Sequence, residues 1–252
     1  MSVLRDKVCL VTGSTRGIGR AIAERFVAEG GHVVVHGRSA EDAAKVAAEL
    51  TGTAGDSACG TATGIAADLT AAGAADELIQ GTLAWRGRLD VLVNNAGVAR
   101  DRFVTKLSDE DWAACLQTNA TAPFQLLRAA VPAMKENGGG AVLNLVSWAG
   151  MRGNVGQVAY SASKGALYAL TLSLAKELGK FDIRVNALSP MVETEMTRGM
   201  PENLQQAAIK RVPLHRFGTM AEVAEGALYL CSDRASFTTG QVLNVDGGIH
   251  LT

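Results

Sequence analysis

Cysteine is scarce in this chain: four residues in 252, Cys9, Cys59, Cys115 and Cys231, far apart and without a CxxC pair. That spacing argues against a disulfide framework, calls for no metal ligand set, and suits free thiols in a reducing compartment. Long apolar runs are missing too. None approaches the roughly 20 residues of a membrane-spanning helix. The opening MSVLRDKVCLVTG has neither the apolar core nor the cleavage-like site of a secretion signal. The expectation is a cytoplasmic, soluble protein with no membrane partner. Charge of one sign is also absent: the formal net charge is −1, with acids and bases scattered. A polyanion-binding face is therefore not expected, and nucleic acid is excluded as a partner.

What the chain does have is apolar residues, 48% of the total, enough for a core on both faces of a sheet. Short β-branched runs alternate with Ala/Leu-rich stretches from end to end. Strands are expected at 7–13, 32–37, 60–68, 89–95, 141–147, 183–189 and 241–247. Helices are expected near 17–29, 40–50, 73–86, 108–136, 159–179 and 220–231. A repeated strand–helix order means parallel strands with right-handed crossovers and helices on both faces. The fold class is thus α/β: one Rossmann-type doubly wound sheet of about seven strands over residues 1–252. No Pro/Gly/Ser linker divides it. The glycines of NGGG at 137–140 read as a helix-to-strand turn, and residues 51–60 as a small-residue surface loop. Pro190, Pro201 and Pro213 punctuate an irregular segment, 190–218, of the kind that forms substrate loops.

The first strand runs into LVTGSTRGIGRA, which sets Gly13, Gly17 and Gly19 at the entrance of the first helix. Glycine permits the sharp turn and the close backbone approach. The helix N-terminus then offers unpaired N–H groups to a pyrophosphate. A glycine-rich turn taken alone could be no more than tight packing; opening the first βα unit of a doubly wound chain favours the phosphate reading. At the end of the second strand, VVVHGRS presents Gly37 and Arg38, with no carboxylate before Glu41. A carboxylate there would hold a ribose 2′-OH, whereas Arg38, with Arg16 in the glycine turn, suits a 2′-phosphate. NADPH/NADP+ is expected over NADH. His36 reads as a strand-end residue. Tyr160 and Lys164 stand four apart, on one helix face. That spacing fits an ordinary core pair as well as a phenol held beside a cation.

TGSTRGIG (12–19), NNAG (94–97), Asn119 in LQTNATAPF, Ser147 in LNLVSWAG, YSASK (160–164) and IRVNALSP (183–190) follow one another in order, with NVDGG (244–248) near the end. On these motifs the whole chain resembles the classical short-chain dehydrogenases/reductases. It is most similar to their 3-oxoacyl-[acyl-carrier-protein] reductase branch, through residues 97–112, 153–164 and 212–248. The resemblance implies reduction of a carbonyl to a secondary alcohol, with catalytic residues Asn119, Ser147, Tyr160 and Lys164. Tyr160 would be the general acid/base, with Lys164 favouring its phenolate and holding the nicotinamide ribose. Ser147 would bind the substrate oxygen, and Asn119 would anchor a relay water.

The implied cofactor turn comprises Gly13, Ser14, Thr15, Arg16, Gly17, Ile18 and Gly19. Asp68 and Leu69 would meet the adenine, and Asn95, Ala96 and Gly97 would line the ribose side of the groove. Pro190, Val192 and Thr194 would meet the nicotinamide. The family's glycine after that proline is absent: Met191 stands there, so the turn must differ. Ser161, Ser163 and Tyr168 are not expected to act in catalysis. An acyl carrier protein is a candidate partner, with Lys176 as one basic contact, although Pro132 occupies the place of a second. A homotetramer through 108–136, 159–179 and the last strand is expected. Two other readings use the same motifs: an NAD-dependent ketone/alcohol dehydrogenase, and a non-catalytic nucleotide sensor.

Overall fold

The computed structural model describes residues 2–53, 60–193 and 202–251. The apolar runs form β1 (Val8–Val11), β2 (His32–Gly37), β3 (Ala62–Ala66), β4 (Val91–Asn94), β5 (Gly140–Leu145), β6 (Ile183–Pro190) and β7 (Val242–Val245). All pair in parallel, in the order β3-β2-β1-β4-β5-β6-β7. The order reverses between β1 and β4. Beyond the carboxyl ends of those two strands the helices depart to opposite faces and leave a crevice.

Strand alternation decides which face each residue feeds. Cys9, Val11, Val33, Val35, Val91 and Val93 join one core. Leu10, Val34, Leu92 and Val142 join the other. The first core is closed by α1 (Gly17–Ala28), α2 (Ala40–Thr53) and α9 (Met220–Cys231); the second by α3 (Ala74–Arg86), α5 (Ala122–Glu136) and α7 (Val158–Leu178). Phe26, Ile22, Leu78 and Leu126 are fully enclosed side chains of these layers. Each such side chain contributes about 1.5–3 kcal/mol by leaving water. Cys9, Cys115 and Cys231 are buried free thiols, as expected; Cys59 lies outside the described residues. Among the described residues no helix is long and apolar enough to cross a membrane.

Three local features differ from the sequence expectation. The helix expected over 108–136 is interrupted: α4 (Asp109–Leu116), capped by Ser108, passes through a π turn at Gln117–Thr121 before α5. The turn carries Asn119, whose amide is drawn out of the helix line to bond the backbone of Val98. A short helix, α6 (Trp148–Arg152), starts directly at Ser147, and α2 continues to Thr53. Of the expected substrate loop 190–218, residues 194–201 lie outside the described residues, and the short helical piece is α8 (Glu202–Lys210).

One polar chain crosses the apolar layers. Asn94 Nδ2 donates to Asn144 Oδ1 (2.8 Å), Asn144 Nδ2 to Thr171 Oγ1 (2.9 Å), and Thr171 Oγ1 to the Leu167 carbonyl (2.9 Å). It ties β4 and β5 to α7, the helix of Tyr160. Asn144→Ala strips a buried donor and a buried acceptor of their partners. We expect a stability loss of about 2–4 kcal/mol in urea unfolding. A loss below about 0.5 kcal/mol, the range of ordinary surface changes, would contradict this role.

Candidate active site

The crevice begins where β1 ends. Thr12 Oγ1 donates to the Val93 carbonyl (3.1 Å) and accepts from the N–H groups of Asn95 and Ala96 (3.0 Å each). Asn95 returns its amide to the carbonyls of Thr12 (2.8 Å) and Gly13 (3.0 Å). The glycine turn is thus fastened to β4. Gly13 and Gly17 have φ of 63° and 58°, the left-handed region that favours glycine. Gly19 lies so close to Gly13 and Asn95 that a Cβ would collide with both. At Gly17 a Cβ would meet nothing within 4 Å, so the turn opens on empty space. The N-cap of α1, Arg16, makes no side-chain cap bond, and its first turn holds no acid. An uncapped helix terminus behind an open glycine backbone is a cradle for phosphate.

Across the mouth, Gly37 is buried, a Cβ there would press into Thr15 Cγ2, and Arg38 beyond it is exposed. Asp68 is exposed. Bonds from Thr70, first of all its hydroxyl (2.7 Å), and the nearby Arg38 charge hold its carboxyl below the usual range. Leu69 next to it is buried.

The second half of the site sits beyond β5. Ser147 caps α6, and its side chain acts on the Tyr160 phenol, lowering its pKa. Lys164, 4% exposed, donates its Nζ to the Leu145 carbonyl (2.6 Å) and lies 5.9 Å from the centre of the Tyr160 ring. A Cβ on Gly97 would stand 3.0 Å from Asn119 Oδ1 and 3.6 Å from Lys164 Nζ, so a larger residue would crowd the Asn119 amide. Asn119 donates to Ser163 Oγ (2.9 Å), which in turn donates to the Tyr160 carbonyl (2.7 Å). One phenol, one hydroxyl, one ammonium and one amide thus converge beside a phosphate cradle. The arrangement can deliver a proton to an oxygen that a second hydroxyl holds.

The family model described as enoyl-(acyl carrier protein) reductase matches residues 13–250. The chain is 41% identical over 250 residues to the 3-oxoacyl-[acyl-carrier-protein] reductase of Aquifex aeolicus, covering 98% of each. It is 38% identical over 249 residues to the reductase of that name from Thermotoga maritima, covering 98% of this chain and 99% of the other. A crystal structure from Sinorhizobium meliloti 1021, provisionally described as a short-chain alcohol dehydrogenase, superposes with a TM-score of 0.93 at 34% identity. That match covers 99% of this chain and 98% of the other. The chain belongs to the short-chain dehydrogenase/reductase family.

The family's cofactor is a nicotinamide dinucleotide, and this chain's open glycine turn and uncapped α1 terminus fit its pyrophosphate. Ser14 does not present a group to it. That residue is fully enclosed, with its N–H on the His36 carbonyl (2.9 Å) and its hydroxyl on the Val11 carbonyl (2.6 Å). Val192 is likewise enclosed in the first core, so toward the nicotinamide it has backbone to offer. Thr194 lies outside the described residues. With Met191 in place of the family's glycine, β6 ends at Pro190 and Val192 makes an isolated bridge to Gly218. Met191 N–H donates to Val245 (2.9 Å), and the Met191 carbonyl accepts from Gly218 (3.0 Å).

Electrostatics in the site depart from the expectation that Lys164 governs the phenol, because burial is the leading influence. Burial raises the Tyr160 pKa; the Ser147 side chain opposes it, and the Asp101 charge adds to the rise. Lys164 is itself driven down to about 8 by burial. A cation taken out of water is costly to keep charged. Sequence reasoning also missed Thr12 and Ser163, whose partners lie 81 to 84 and 44 residues away. A polar residue closing the apolar β1 run was the available signal for Thr12.

The Lys164 shift has a direction that can be tested. The group is protonated in both states below pH 8. Between about 8 and 10.5 the folded form releases its proton first, so unfolding takes up a proton and stability rises with pH. The burial penalty is therefore carried below pH 8 and fades as pH climbs to 10.5. Lys164→Met should exceed the parent in stability by about 1–3 kcal/mol at pH 7. Urea midpoints should converge by pH 10.5; a gap that does not vary with pH would refute the assignment.

Proposed function

We propose that this oxidoreductase is an NADPH-dependent carbonyl reductase that converts a 3-oxoacyl thioester, or a similar ketone, to its secondary alcohol. The observation that carries the reading is the convergence of the Tyr160 phenol, Ser147, Lys164 and Asn119 beyond the carboxyl end of β5. When bound, the dinucleotide supplies the hydride to the carbonyl carbon. Tyr160 gives its phenolic proton to the carbonyl oxygen as charge builds there, and Ser147 holds that oxygen by its hydroxyl. Burial, which raises the phenol pKa, keeps Tyr160 protonated and ready to donate in this direction. Lys164 holds the nicotinamide ribose and stabilises the phenolate left behind. Asn119, fixed between Val98 and Ser163, keeps the relay in register.

Arg38, exposed at the end of β2, and Arg16 at the α1 entrance favour a 2′-phosphate over a free 2′-hydroxyl. The substrate reading draws on the reductases named above, which act on carrier-protein thioesters by name. Lys176 would meet an acidic carrier protein on α7. Exposed Trp112, Phe124, Val158, Phe237 and Leu251 support a homotetramer that covers α4, α5, α7 and the C-terminal edge. A cytoplasmic location accords with this assignment.

Initial rates with NADPH over β-keto thioesters, 2-enoyl thioesters, ketones and cyclic diketones test the substrate class; reduction of the enoyl substrates alone would overturn the carbonyl reading. Tyr160→Phe should lower kcat by about 10²–10⁴-fold with NADPH binding retained. Turnover that survives without the phenol would remove the mechanism. Arg38→Asp should reduce the NADPH-over-NADH preference in kcat/KM at least about tenfold, the value of a lost charge-assisted bond. An unchanged preference would return the cofactor assignment to NAD.

A further inference from the structure

His36 was read from the sequence as a plain strand-end residue, yet the fold encloses it: it is 3% exposed beneath the glycine turn. Its Nδ1 accepts the backbone N–H of Gly13 at 3.1 Å, and its Nε2 lies 3.1 Å from the Ala67 carbonyl. These two partners set the tautomer. Nδ1 must be the bare acceptor and Nε2 must carry the proton. The backbone of His36 is engaged as well, accepting from Ser14 N–H (2.9 Å) and donating to Ser14 Oγ (3.0 Å). One residue therefore bridges the first glycine of the phosphate turn and Ala67, the residue before Asp68 and Leu69.

We infer that His36 is a positioning residue for the dinucleotide: its neutral imidazole holds the phosphate turn and the adenine-side segment in register, and its protonation releases the turn, so that cofactor affinity falls in acid through this side chain. The inference rests on the nucleotide-binding reading given above. The chemistry is a donor–acceptor mismatch. An imidazolium carries a proton on both nitrogens, so Nδ1–H would face Gly13 N–H, donor against donor. Gly13 cannot retreat freely, because its carbonyl is held by Asn95 and it packs against Ala96. Burial lowers the His36 pKa from its ordinary value, opposed by the Ala67 bond, so the bridging tautomer persists through neutral pH. The charged residues that flank its partners in the chain are Arg16 after the turn, Arg38 on β2 and Asp68 beyond Ala67. Asp68 spends its carboxylate on Thr70 and lies near the Arg38 charge.

The test is NADPH binding, by titration calorimetry or quenching of protein fluorescence, at pH 7.5 and pH 5.0 for the parent, His36→Asn and His36→Leu. The 2′-phosphate itself titrates near pH 6, and His36→Asn is the control for it. An asparagine Oδ1 can take the place of Nδ1 as acceptor for Gly13 but has no proton to gain. The parent should lose about tenfold more affinity than His36→Asn on acidification, the scale of one stranded buried N–H. His36→Leu should bind about tenfold more weakly than the parent at pH 7.5, with the shallow pH dependence of His36→Asn. Equal slopes for the parent and His36→Asn, or parent-like binding by His36→Leu at pH 7.5, would overturn the role of His36. Failure of the parent to bind NADPH or NADH at pH 7.5 would instead remove the cofactor reading itself. If His36→Leu does not fold, the comparison of the parent with His36→Asn decides alone.

Discussion

Parallel pairing is the constraint from which the rest of this structure follows. A parallel strand cannot return through a hairpin, so every connection crosses a face of the sheet as a helix and every strand delivers its carboxyl end to one edge. Seven strands in the order β3-β2-β1-β4-β5-β6-β7 bring Gly13, Gly37, Asn95 and Ser147 to that edge from four different strands. The reversal between β1 and β4 opens the crevice there. Thr12 then closes the gap between those two strands with three hydrogen bonds, so the phosphate turn is built on the sheet and not hung from a loop.

Burial is the second organising force, and it acts on the titratable groups in opposite directions. It raises Tyr160 toward its neutral acid and drives Lys164 and His36 toward their neutral bases. All three shifts place protons by withholding water. Ser147 offers the local counterweight at Tyr160 by lowering the phenol pKa. At Lys164 the Leu145 carbonyl satisfies one of the ammonium donors without adding a charge. Asn119 and Ser163 supply rigidity to this group: a π turn carries the amide out to Val98, and the serine hydroxyl ties it to the first turn of α7. The site thus depends on groups whose cost of burial the surrounding polar network offsets.

The strands, the helices of both faces and the motif-bearing turns were legible in the sequence because each is a local pattern. β1 shows as VCLV before TGSTRGIG, and α7 shows as a long run of small and apolar residues starting beside YSASK. The turn after β6 was legible as a departure, since Met191 could not repeat a glycine turn. What replaced it, backbone bonds from Met191 to Val245 and Gly218, was not. The π turn at Asn119 was hidden for a related reason. Its cause is a partner at Val98, 21 residues earlier, while helix periodicity on either side of 117–121 is undisturbed.

By itself, then, the sequence determined the parallel α/β class and the glycine-rich turn that opens the first βα unit, both of which follow from residue type and spacing along the chain. The Asn119, Ser147, Tyr160 and Lys164 set was named through the motifs shared with the family, not through spacing. Tertiary structure alone decided the protonation behaviour and the fine positions. Burial overrides Lys164 as the main influence on the phenol, Ser14 turns inward, and His36 becomes the bridge between Gly13 and Ala67. Desolvation and cross-strand hydrogen bonds exist only between segments that folding brings together, and no local pattern of residues encodes them.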